Sequence, residues 1–266
     1  MPYAMKKSLA QPTSLIIVTF LLFKTIVGQA QVAAGPVNTL TDAEKKAGWK
    51  LLFDGKTLNG WVSYYGADKS AKGWSIEDGC LKNPKGTGRP RTGGGDLMTE
   101  ALFTDFELRF EWNIQQGGNS GIYYMLVERQ NKPGVPMYGG DDGTSGVAFE
   151  YQLVDDLHHP DPVQHGPITA TGSLYSLIPP NDTKKLNPPG EFNESRIIVR
   201  GNHMEHWLNG TKIVSYELDD PAFKELVAKS KYGKAIPGFG AKAPTRILLQ
   251  DHGDEIRFRN VKIRNL

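Results

Sequence analysis

The sequence predicts an all-β protein, an antiparallel sandwich built as one large domain. Three observations carry this. Thirty glycines and seventeen prolines punctuate short alternating runs, the pattern of a sandwich or barrel. The run 107-ELRFEWNI-114 alternates without a break: Leu108, Phe110, Trp112 and Ile114 share one face, and Glu107, Arg109, Glu111 and Asn113 the other. Asn209-Gly210 lies between two extended runs, the strongest short-range hairpin signal.

The chain opens with Lys6 and Lys7, an apolar run from Leu15 to Phe23, and an exit through Gly28-Gln29-Ala30. A basic start, a short apolar core and a small-residue exit describe a secretory leader over residues 1–30. The run falls short of the roughly 20 apolar residues that span a bilayer. A periplasmic or secreted protein is expected, with no transmembrane segment after cleavage. Residues 31–48 form a lead-in with a short helix, in which Thr41-Asp-Ala-Glu44 is a capping box and Gly48 a stop. The sandwich is residues 49–266. Its strands are expected over Glu107–Ile114, Ser120–Val127, Val147–Val154, Arg196–Arg200, the two arms of 203-HMEHWLNGTKIVSYEL-218, Thr245–Gln250 and Glu255–Arg264. The last strand slips phase at Arg259-Asn260, as a bulge would make it. A second short helix starts at Asp220-Pro221, with Phe223, Leu226 and Val227 at helical spacing. Residues 131–145 and 179–194 read as long surface loops, where function commonly sits.

A net charge of +2 implies no nucleic-acid partner. The single cysteine, Cys80, reads as a small buried hydrophobe. By strand parity, Glu107, Arg109, Glu111, Glu150, Gln152 and Arg196 all lie opposite the core. Such a polar sheet face with aromatic neighbours suits a sugar, whose hydroxyls need hydrogen bonds and whose ring needs a flat surface. His252, in 250-QDHGD-254, stands at a strand end beside carboxylates, a position for a general acid or base. The stretch 149-FEYQLVDDLHHPDPVQHG-166 ends in metal-ligand residue types. It has neither the helical histidine spacing of a zinc protease nor the cysteine spacing of a zinc ribbon. Adjacent His158 and His159 point apart in an extended chain, so one of them at most reaches inward. A metal site, a catalytic or sugar-contacting role and a plain loop all remain open for it.

Several motifs share one resemblance. Leu52-Phe-Asp-Gly-Lys-Thr-Leu-Asn-Gly-Trp61, 107-ELRFEWNI, 117-GGNSGIYY, 149-FEYQLVDD, 195-SRIIVRGNHMEHWLNG and 248-LLQDHGDEIRFRNVKIR occur in order. Together they resemble the 3-keto-disaccharide hydrolase domain family over about residues 49–266. The resemblance implies a concanavalin A-like, laminarinase-like β-sandwich acting on a glycoside or oligosaccharide already oxidised at C3. A C3 ketone acidifies the C2 hydrogen, so a base can form an enolate, the C1 substituent leaves, and water adds back. The expected catalytic residues are His252, Glu150 and His158. Arg109, Gln152, Asn119, Tyr175, Arg196 and Gln250 are expected to bind substrate. A divalent metal ion held by Glu111, Glu150 or Asp155 would serve the same electrostatic purpose. The competing reading is a carbohydrate-binding module without catalysis.

Overall fold

The structure is a computed structural model, and its described residues are 1, 36–64, 71, 73–86, 94–126, 148–235 and 238–266. The chain divides into two compact units, Met1–Ala34 and Gly35–Leu266, and the sandwich is the second. The expected leader and the expected 131–145 loop lie outside the described residues. Among those described, no helix is long and apolar enough to cross a membrane.

Among the described residues, thirteen strands make two antiparallel sheets. In chain order they are β1 (Lys50–Leu51), β2 (Trp61–Ser63), β3 (Ser75–Glu77), β4 (Cys80–Asn83), β5 (Leu97–Thr99), β6 (Phe106–Ile114), β7 (Asn119–Tyr124) and β8 (Phe149–Val154). Then come β9 (Asn193–Arg200), β10 (His203–Leu208), β11 (Thr211–Glu217), β12 (Leu248–Leu249) and β13 (Ile256–Asn265). The larger sheet runs β11-β10-β9-β6-β13-β4-β3, with β1 also paired to β13; the smaller runs β2-β5-β12-β7-β8. Alternation sends Leu108, Phe110 and Trp112 from the larger sheet, and Ile122, Tyr124, Phe149, Tyr151 and Leu153 from the smaller, into one shared core.

The predicted phase slip is a bulge. The β6–β13 register shifts between Arg259 and Lys262, and Asn260 takes φ 51°. Asn38 clamps it: its N–H donates to Asn260 Oδ1 at 2.6 Å, and the Asn260 N–H donates to Asn38 Oδ1 at 2.8 Å. The lead-in is thereby tied to the C-terminal strand.

Among the described residues four α-helices form, against the two helices expected: α1 (Asp42–Lys46), α2 (Pro160–His165), α3 (Pro221–Lys229) and α4 (Lys231–Ala235). The α1 capping box is complete on both sides. The prolines of 160-PDPVQH-165 suggested a loop, but they occupy the first turn of α2, where a missing N–H costs nothing. The expected strand Thr245–Gln250 shortens to β12, with Thr245 held by a separate bridge to Phe103. Cys80 is buried, and burial pushes its thiol up, away from a reactive thiolate.

One histidine lies wholly inside the core. His206 Nδ1 meets the Gly172 carbonyl at 2.9 Å, so Nδ1 carries the hydrogen and Nε2 accepts from the Tyr124 hydroxyl at 2.6 Å. Burial pushes the imidazole down to about 4. It is therefore neutral when folded and protonates near 6.5 when unfolded. Its stabilising contribution is complete above pH 6.5 and is lost as pH falls from there toward 4, by up to about 1.4 kcal/mol per pH unit. Denaturation of the wild type between pH 7 and 4 should show this slope, and His206→Gln should flatten it. An equal slope in the variant would assign the acid sensitivity to other groups.

Candidate active site

Two neighbouring strands of the smaller sheet build the floor of a cavity on its outer face. In the β7–β8 pair, Tyr123 lies opposite Glu150 and Gly121 opposite Gln152. Alternate residues share a face, so Asn119, Tyr123, Glu150 and Gln152 project away from the core that Tyr124 and Tyr151 enter. The chain leaving β12 lays Gln250 beside them, its N–H donating to the Gly121 carbonyl at 2.9 Å. His159 and Asp161, at the start of α2, make one wall. Lys231 and Tyr232 of α4 make another, and Tyr175 and His252 complete the rim. The enclosed space is about 270 Å³, near the lower end of small-molecule sites at about 300–1,000 Å³. A volume of this size accommodates a sugar-sized ring.

Glu150 is the electrostatic centre of this space. Its own exposure is 7%. Desolvation pushes its carboxyl up to about 8; the Tyr123 hydrogen bond opposes this, and the Asp96 charge adds to it. Gln250 Nε2 donates to the Tyr123 hydroxyl at 2.5 Å, which leaves the Tyr123 hydrogen for Glu150. Gly121 makes the room: a Cβ there would overlap the Glu150 carboxyl. A carboxyl poised near working pH inside a cavity can both take and give a proton.

A second cluster lies at the His159 side. His159 Nδ1 accepts the Asp161 N–H at 3.2 Å and so caps α2. Burial, and the neighbouring His252, hold its imidazole below the ordinary value. The rings of His159 and His252 meet edge to face at 5.8 Å. His252 Nδ1 is buried without a hydrogen-bond partner and lies 3.9 Å from Asp254 Oδ2. Asp254 Oδ2 accepts the Asn119 N–H at 3.1 Å. His159, His252 and Asp254 each offer a ligand atom within 4.8 Å of the others, the one such metal-competent group among the described residues.

Six of the residues expected from sequence meet here: Glu150, Gln152, Asn119, Tyr175, Gln250 and His252. Five do not. Arg109 and Arg196 lie on the outer face of the larger sheet, where both bond Glu107 and Arg196 stacks on Trp207 at 3.7 Å. Glu111 is on that face too, bonded to Arg259 Nε at 2.7 Å and Asn260 Nδ2 at 2.6 Å. Parity names a face of a strand, not the sheet the strand joins, and β6 and β9 joined the other sheet. His158 turns outward onto Asp155 at 2.6 Å, and the adjacent His159 faces the cavity in its place. Asp155 accepts the N–H groups of Gly117 and Leu157. Its burial works against ionisation, but these donors and His158 hold it below the usual carboxylate range, as a loop-bracing group. The residues missed were His159, Asp254, Tyr123, Lys231 and Tyr232. The first two lay inside quoted motifs, and Tyr123 shared parity with Asn119.

Comparison with known proteins adds the lineage. The model of a 3-keto-alpha-glucoside-1,2-lyase-like domain matches residues 48–264. A Bacteroides thetaiotaomicron protein named 3-keto-disaccharide hydrolase is 35% identical over 236 residues, covering 82% of this chain and 79% of its own. A crystal structure from Parabacteroides distasonis, described as a candidate glycosyl hydrolase, superposes with a TM-score of 0.72 at 33% identity, over 87% of this chain and all (100%) of its own. A second structure from the same organism, described likewise, gives 0.57 at 26% identity, over 82% and 99%. The match over nearly the whole sandwich, at this identity, establishes that the chain belongs to the 3-keto-alpha-glucoside-1,2-lyase-like domain family.

Proposed function

We propose that the protein cleaves 3-keto-glycosides by elimination followed by hydration. The observation that carries this reading is Glu150, a lone-strand carboxyl raised to about 8 within a sugar-sized polar cavity. The name of the Bacteroides relative supports the substrate class. In its ionised form Glu150 removes the hydrogen from C2, made acidic by the C3 ketone. The electrons of the C2–H bond form the C1–C2 double bond, and the C1–oxygen bond breaks. The departing oxygen takes a proton, and water then adds across the double bond, so the sum is hydrolysis with no change of oxidation state. Gln250 donates to the Tyr123 hydroxyl and Tyr123 donates to Glu150, a hydrogen-bonded chain that orients the carboxylate. Gln152 and Tyr175 face the space where sugar hydroxyls would lie.

Incubation of the purified protein with a 3-keto-glucoside and with its unoxidised parent tests this. The keto-glycoside alone should be cleaved, and in deuterated water the keto-sugar product should carry deuterium at C2. Equal cleavage of the parent, or a product that keeps its original C2 hydrogen, would sink the elimination route.

A further inference from the structure

The cluster beside Glu150 has more polarity than a loop corner needs. Two imidazoles and one carboxylate, from two separated loops, bring ligand atoms within 4.8 Å of one another. The buried His252 Nδ1 has no hydrogen-bond partner, and neither does the side-chain carbonyl of Asn119, a residue only 3% exposed that lines the same cavity. Leaving such groups unpaired is unfavourable. The Asn119 amide lies against the cluster, its Nδ2 3.4 Å from His159 Nε2, so a half-turn of that amide would bring its carbonyl to a cation that also gives His252 Nδ1 a partner. We propose that His159, His252 and Asp254 bind one first-row divalent cation, with the Asn119 carbonyl as a further ligand and open positions facing the cavity.

The donor set defines the class of ion. Two nitrogens and one carboxylate suit zinc, cobalt, manganese or iron, whereas calcium and magnesium prefer oxygen alone. Around a four-coordinate ion, ligand atoms sit about 3.3–3.6 Å apart at bonds of about 2.0–2.2 Å. The cluster therefore closes by about an ångström on binding. His159 must also hand its hydrogen to Nδ1 to ligate through Nε2, which gives up its 3.2 Å cap on Asp161. That cap is long, and its loss is a modest cost beside a metal bond. A Lewis acid there would polarise a sugar carbonyl next to Glu150. Only this last role rests on the proposed reaction; the binding itself does not.

The test is a titration of Co²⁺ into chelator-stripped protein, read by heat and by visible absorption, without substrate. One equivalent is expected to bind, with the bands of a nitrogen- and oxygen-ligated ion. His159→Ala, His252→Ala and Asp254→Ala should each weaken binding at least tenfold, and His158→Ala, one residue away but turned outward, should not. Mg²⁺ and Ca²⁺ should give no saturable heat at the same concentrations. No saturable Co²⁺ binding by the wild type overturns the site, a result that needs no variant to fold. So does full-strength binding in the three variants, once thermal melts show them folded. Cleavage of a 3-keto-glycoside by protein that binds no cation overturns the cation and leaves the reaction standing. Stoichiometric binding without cleavage supports the cation and counts against the reaction.

Discussion

Glu150→Gln is expected to lower kcat/KM on a 3-keto-glycoside by about 10²–10⁴-fold, the usual contribution of a positioned proton-transfer group. The amide keeps the size and the hydrogen bond to Tyr123 but cannot accept the C2 proton. The wild-type rate should rise with pH to a plateau with a midpoint near 8, because only the ionised carboxylate is a base and burial has raised its value. Stability moves the opposite way. The unfolded carboxyl ionises near 4.3 while the folded one stays protonated to about 8, so folding takes up a proton in that window and the protein weakens as pH rises through it. Glu150→Gln should therefore match the wild type near pH 4 and melt higher than it near pH 9. A variant that is stable, pH-insensitive in its melting and still fully active would remove Glu150 from the chemistry.

The second large effect is structural. Phe149→Ala should destabilise the fold by about 3–5 kcal/mol, the cost of emptying a buried aromatic site. Phe149 is 1% exposed. Its ring meets the edges or faces of Tyr124, Tyr216, Phe223 and Phe239 at centroid distances of 5.2–6.0 Å. These partners come from β7, β11, α3 and the segment after α4, so one side chain joins both sheets to the helices. It also precedes Glu150 on β8, and α4 carries Lys231 and Tyr232 into the cavity. Urea unfolding measures the loss. A change below about 1 kcal/mol would mean that the rings close over the gap.

Much of this was legible in sequence, and the failures have physical causes. Strict alternation in 107–114 and 149–154 needs only local geometry, so the core faces of β6 and β8 were readable, as were the Asn209-Gly210 turn and the Asn260 bulge. Glu150 and Gln152 inherited their outward direction from the same alternation. Arg109 and Arg196 shared that direction relative to their own strands, but strand pairing is a long-range choice that alternation does not encode. Past Val154 the chain leaves extended geometry, so parity stops informing at His158 and His159. The N-cap of α2 is what turns His159 inward. Lys231 and Tyr232 arrive on a five-residue helix with no periodic signal, far along the chain from the strands they face.

The strand order also says what holds the two sheets together. β12 lies in the middle of the smaller sheet, and β13 lies in the larger one between β6 and β4. Both belong to the last part of the chain, 248–265. Without residues 248–265 each sheet would be split into halves with no strand to join them. The same segment carries Gln250, His252 and Asp254, so the cavity and its neighbouring cluster depend on it too. Pairings between residues as distant as β4 and β13 should make folding slow. Loss of the final strand would not trim the sandwich at an edge; it would divide it.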